Sequence, residues 1–129
     1  MKITSIDHIV LTVKNIDETV QFYESVLGMT VEVFGEGRTA LKFGKQKINL
    51  HEKGKEHEPR ALKPEPGSED ICLITRTRLD AAMDYVMSKG IKIIEGPVKR
   101  TGATGVITSF YFRDPDDNLI EVANYESSA

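Results

Sequence analysis

Apolar and polar positions alternate along this chain in short blocks, and each block predicts an element. Ile6 to Val13 is β-branched and apolar on both faces, as expected of a strand covered on both sides. Asn15 opens a helix, with Glu18 three residues later completing a capping-box pattern. Ile16, Val20, Tyr23, Val26 and Leu27 form its apolar stripe, and Gly28 ends it. Met29–Phe34, Thr39–Phe43 and Lys47 to about His51 read as three strands, separated by Gly35-Glu36-Gly37 and Gly44-Lys45-Gln46. Glu52 to Glu69 is charged and proline-bearing and reads as a surface linker. Asp70–Thr75 is then a strand. A helix follows from Thr77 or Arg78 with the stripe Leu79, Ala82, Met83, Val86 and Met87, and Gly90 stops it. Ile91–Ile94, Val106–Phe112 and Leu119–Asn124 are the remaining strands. The stretch Gly96–Gly105 between them reads as a loop, either one able to close over a ligand or a charged, solvated hairpin.

The plan is written twice: strand, helix, three strands, linker, then the same again. Asp7-His8-Ile9-Val10-Leu11 lines up with Glu69-Asp70-Ile71-Cys72-Leu73, and Leu27-Gly28-Met29 with Lys89-Gly90-Ile91. Ile48-Asn49-Leu50 likewise matches Ile120-Glu121-Val122. The expected fold class is α+β, with two βαβββ modules forming a curved mixed sheet around a groove. Module 1 spans 1–53, the linker 54–68 and module 2 69–126, all within one domain. A groove between related halves is a natural ligand site.

Composition narrows the partners. A chain of 129 residues, 40% hydrophobic and 29% charged, is an ordinary globular mixture. A net charge of −3 argues against nucleic acid as a partner and supplies no basic face for a membrane. Cys72 is the single cysteine, so no intrachain disulfide exists. No signal peptide precedes the first strand, and no apolar run nears the roughly 20 residues of a membrane helix. A cytoplasmic setting is expected.

Candidate chemistry centres on Glu121, a carboxylate alone in an apolar strand entered through the turn Asp114-Pro115-Asp116-Asp117. A buried carboxylate takes up a proton, finds a cation or binds a metal. His8 is read as mid-strand among apolar neighbours, either as a hydrogen-bonded core residue or as a ligand. Its repeat mate is Asp70. The repeat mate of Glu121 is Asn49, with His51 two residues on and on the same face. Related halves would bring His8, Asn49 or His51, Asp70 and Glu121 to equivalent points on one concave surface. Two imidazoles with one or two carboxylates suit Zn, Mn, Fe, Co or Ni. Arg38, Lys99 and Arg100 either hold an anionic group of the ligand or form a solvated face. Of Phe110, Tyr111 and Phe112, at least one ring is expected to face the groove, and Phe110 is assigned there. Cys72 reads either as a small core residue or as one touching substrate or metal, and His57 has no assigned role.

Three stretches, Asp7–Val13, Phe22–Met29 and Phe112–Val122, resemble the vicinal oxygen chelate superfamily of glyoxalase I, extradiol dioxygenases, fosfomycin-resistance thiol transferases and bleomycin-binding proteins. Lys47–Glu52 and Gly96–Ala103 look like the small glyoxalase-domain-containing proteins of the domain-five type. By this resemblance His8 and Glu121 match the first- and last-strand metal ligands. Asp70 stands where histidine is usual, and Asn49 where glyoxalase I has glutamate, with His51 the nearest good ligand. The resemblance implies a divalent metal and a glyoxalase I-like lyase or isomerase acting on a small substrate with vicinal oxygens, Glu121 moving a proton between neighbouring carbons. A dioxygenase or fosfomycin-type thiol transferase, and a non-catalytic sequestering protein, are the alternatives. It also implies a homodimer.

Overall fold

The computed structural model describes residues 1–126. Ten elements follow in order: β1 His8–Val13, α1 Ile16–Leu27, β2 Thr30–Phe34, β3 Arg38–Phe43, β4 Gln46–Glu52, β5 Asp70–Ile74, α2 Leu79–Ser88, β6 Glu95–Thr101, β7 Val106–Arg113 and β8 Leu119–Tyr125. The chain divides into two compact units, one from Met1 to Ser68 and one beginning at Glu69. Each holds one βαβββ module, and the strands form two separate four-stranded mixed sheets.

In the first unit the order is β1-β4-β3-β2, with β1 parallel to β4 and the other pairs antiparallel. Helix α1 starts where Asn15, in extended conformation, accepts a hydrogen bond from Glu18 N at 2.9 Å. Asp17 and Glu18 place negative charge at its positive end. Gly28 ends it with a left-handed φ of 66°, which costs glycine little. One sheet face carries the buried Leu11, Val13, Leu41, Ile48 and Leu50, and Tyr23 and Val26 of α1 are buried with them. Each such side chain contributes roughly 1.5–3 kcal/mol when fully removed from water. Residues 54–68, expected as a linker, fold onto this unit: Lys53 Nζ donates to Pro64 O and Glu65 Oε1, both at 3.2 Å.

The second unit repeats the plan as β5-β8-β7-β6. Its register repeats too: Val10 faces Asn49 across β1 and β4 as Cys72 faces Glu121 across β5 and β8. Phe110, Phe112, Ile120 and Val122 fill its core with Val86 of α2. The turn before β8 is tightly determined. Asp114 Oδ1 accepts from Asp116 N and Asn118 N, and Oδ2 from Asn118 Nδ2, all at 2.9 Å. Asn118, fully buried, accepts in turn from Glu69 N at 2.9 Å, so β5 and β8 start together.

One strand lies elsewhere than the pattern predicts. Ile91–Ile94 is irregular, and β6 runs through Glu95–Thr101, most of the expected loop. Its pairing with β7 shifts by one residue between Glu95 and Val98, a bulge at Gly96-Pro97. Proline is tolerated because β6 is an outer strand.

Candidate functional site

Glu121 sits in the middle of β8, between two hydrogen-bonded neighbours. Strand pairing sets Cys72 of β5 on one side of it and Tyr111 of β7 on the other. Ser109, two residues from Tyr111 on the same face, donates its hydroxyl to Glu121 Oε2 at 2.6 Å. This is a short bond to a charged acceptor, which holds the carboxylate in place. Glu121 and Cys72 border a cavity of about 390 Å³, lined also by Ile74, Arg100, Ile107, Tyr125 and the β6–β7 hairpin residues Thr101, Gly102 and Ala103. Its walls are largely apolar, with a carboxylate and a guanidinium as the charged groups, as small-molecule sites commonly are.

Arg100 enters from β6. Its Nε donates to the Tyr111 hydroxyl at 3.0 Å and its Nη2 pairs with Glu95 Oε1 at 3.3 Å. Burial pushes the Tyr111 phenol up; the Arg100 hydrogen bond opposes this and the Glu121 charge adds to it. The Cys72 thiol is pushed up to about 11, chiefly by burial and then by the charge and hydrogen bond of Glu121. At neutral pH it is a thiol, a poor nucleophile and a poor metal ligand.

The other assigned residues are distributed differently from expectation. Lys99 faces away from Glu121, because successive strand residues alternate; it pairs with Glu126 at 2.8 Å. Phe110 is corrected likewise. It is fully buried on the opposite face from Glu121, its ring 5.9 Å from that of Phe112. Tyr111 is the aromatic that shares the Glu121 face. Of the two readings of Gly96–Gly105 the structure takes the hairpin, closed by Gly102 N to Gly105 O at 2.7 Å and tied down by Thr104 N donating to the Tyr125 hydroxyl at 3.2 Å. Ser109, which sequence reasoning did not single out, carried one signal: a small polar residue within the run Val106–Phe112.

Three of the proposed metal donors can be compared within their own units. His8 is the first residue of β1, exposed, with Nδ1 2.7 Å from Asp7 Oδ1. It pairs with Lys47, whereas His51 pairs with Thr12 four residues along, roughly 13 Å at about 3.3 Å per residue. His51 is buried beside the Arg38 guanidinium, 3.5 Å away, which opposes a second cation. Burial first, then the charges of His57 and Arg38, lower the His51 pKa from its ordinary value. Asp70 is exposed and pairs with Leu119, two residues along the ladder from the Cys72–Glu121 pair. Among the described residues, no three His, Cys, Asp or Glu side chains group so as to hold a metal ion. Within module 1, His8 and His51 stand too far apart along the ladder to share one ion.

Residues 5–122 match the profile of the Glyoxalase/Bleomycin resistance protein/Dioxygenase superfamily. The chain is 52% identical over 128 residues to the glyoxalase domain-containing protein RDO1 of Mycosarcoma maydis, covering 99% of this chain and 72% of that one. It superposes on the crystal structure of virulence protein STM3117 from Salmonella typhimurium with a TM-score of 0.96 at 54% identity, covering 97% and 99% of the two chains. A lactoylglutathione lyase structure from Agrobacterium tumefaciens shares the fold, with a TM-score of 0.73 at 21% identity and 96% of each chain covered.

Proposed function

This chain belongs to the Glyoxalase/Bleomycin resistance protein/Dioxygenase superfamily, and from that premise we propose that it is a glyoxalase-type lyase or isomerase acting on a small molecule with adjacent oxygens. The observation that carries this reading is the Glu121 carboxylate, held by Ser109 in the floor of an apolar cavity. A base in that position takes a proton from a carbon next to a carbonyl and returns it to the neighbouring carbon. Fixing one oxygen through Ser109 keeps the carboxylate at working distance. Arg100 is the cation available to an anionic part of the substrate, in competition with Glu95. Tyr111, polarised by Arg100, offers a hydrogen bond to a developing oxyanion.

The apolar cavity equally suits a second reading, a protein that sequesters a small molecule without turning it over. Turnover of methylglyoxal plus a thiol, measured without added metal and with Ni, Zn or Mn, separates the two. The first reading expects product in at least one condition and a loss of about 100-fold or more in Glu121→Gln, the scale of a lost general base. Equal rates in the variant and the wild type would remove Glu121 from the chemistry. Absence of product in every condition would leave sequestration.

A further inference from the structure

Module 1 carries a polar cluster that the Glu121 chemistry does not use. On the sheet face opposite its core, Arg38 of β3 lies beside Phe34 of β2 and His51 of β4. The Arg38 guanidinium sits 5.1 Å from the Phe34 ring centroid, and the Lys47 ammonium reaches the same ring at 3.9 Å. Ala40, between β2 and β4, leaves room for that crossing. Asn49, two residues from His51 on the same face, is 5% exposed. Its Oδ1 has no hydrogen-bond partner, and neither does the buried Arg38 Nε. A buried donor or acceptor left unpaired is costly, so an orphan of each kind in one cluster points to a missing partner.

Charge points the same way. Neither Arg38 nor Lys47 has an ion pair among the described residues. The nearby carboxylates are engaged: Glu32 lies 3.8 Å from Lys42, and Glu56 accepts from Gly54 N at 2.5 Å. We propose that this face binds a small oxyanion carrying a neighbouring hydroxyl, either a hydroxycarboxylate or a phosphate ester. The charged oxygens accept from Arg38 Nε and attract Lys47, and the hydroxyl donates to Asn49 Oδ1. A bare anion would satisfy the arginine and leave the asparagine acceptor orphaned. The inference gives a ligand class to the substrate-binding role of Arg38 and Asn49, and it holds whether or not Glu121 carries a proton.

The test is a titration of isotope-labelled protein followed by nuclear magnetic resonance, with lactate, propionate, glycerol 3-phosphate and inorganic phosphate as probes. Lactate or glycerol 3-phosphate is expected to shift the Arg38 Nε–H and Asn49 side-chain signals. The hydroxylated probe should bind more tightly than its partner lacking the hydroxyl, propionate or inorganic phosphate. The tighter of the two hydroxylated probes identifies the carboxylate or the phosphate ester. Arg38→Lys, which keeps the charge and loses the Nε–H, should weaken binding about tenfold, the scale of one hydrogen bond to a charged group. Asn49→Ala should erase the preference for the hydroxyl. If neither variant folds, the wild-type comparison alone decides. Binding that ignores the hydroxyl, or no shift at Arg38 Nε–H with any probe, overturns the proposal. Binding is read without turnover, so a failed turnover assay leaves this site standing.

Discussion

Single side chains here owe their chemistry to the partner across the ladder. Cys72 faces Glu121, and its thiol is pushed up from 9.0 to about 11. That corresponds to roughly 100-fold less thiolate at neutral pH than an unshifted cysteine would have. Maleimide labelling should therefore be slow near pH 7 and accelerate with pH. In Glu121→Gln, which removes the charge, it should be faster; equal rates would show that the carboxylate does not act on the thiol. His51 makes the complementary case in module 1. Its folded-state pKa lies below the ordinary 6.5, so the unfolded chain binds the proton more readily. Stability that is present above about pH 6.5 should be lost as pH falls through the lowered folded value. Thermal melts between pH 7.5 and about 5 should show a shallower decline for His51→Gln than for wild type. Parallel declines would assign the loss to other groups.

At the scale of elements, the β6 strand shows how a local signal misleads. Gly96-Pro97 followed by charged residues has loop chemistry, yet it forms a bulge against β7. Gly96 has a φ of +125°, and a Cβ there would meet Phe110 Cα and Ser109 O at 2.7 Å. Both the backbone conformation and the space exclude a side chain. Gly96→Ala should cost about 2 kcal/mol or more, read as a lowered denaturation midpoint, because the clash is with backbone rather than with a side chain that can move. A variant as stable as wild type would mean that β6 readily leaves β7. The turn 114–118 teaches the opposite lesson. Its residues are turn formers by type, and the structure uses them so, with Asp114 accepting three hydrogen bonds and Asp117 taking a φ of 66°.

For the whole molecule, the repeated module and the family agree, and assembly is the open property with a physical handle. Each four-stranded sheet has two outer strands, β1 and β2 in one and β5 and β6 in the other. Outer strands present unpaired backbone groups that proteins cover or pair. Sedimentation equilibrium should give twice the chain mass at micromolar concentration; a monomer would mean that side chains alone protect these edges. Among the described residues no helix is long and apolar enough to cross a membrane.

Element order, the first helix's caps, the duplication and the place of Glu121 within the last strand were legible in the chain itself. Hydrophobic period, capping residues and turn formers act over a few neighbours, and the Asn15 cap and Gly28 stop show it. Strand pairing joins residues far apart, and it alone decided the rest. It set Cys72, Tyr111 and Ser109 around Glu121, and turned Phe110 and Lys99 to the other face. It also put His8 and His51 four residues apart on one ladder. A strand offers two faces and many registers, and a shift of one residue exchanges the faces. Local composition cannot choose among them, so the neighbours of a functional side chain are settled only when the sheet closes.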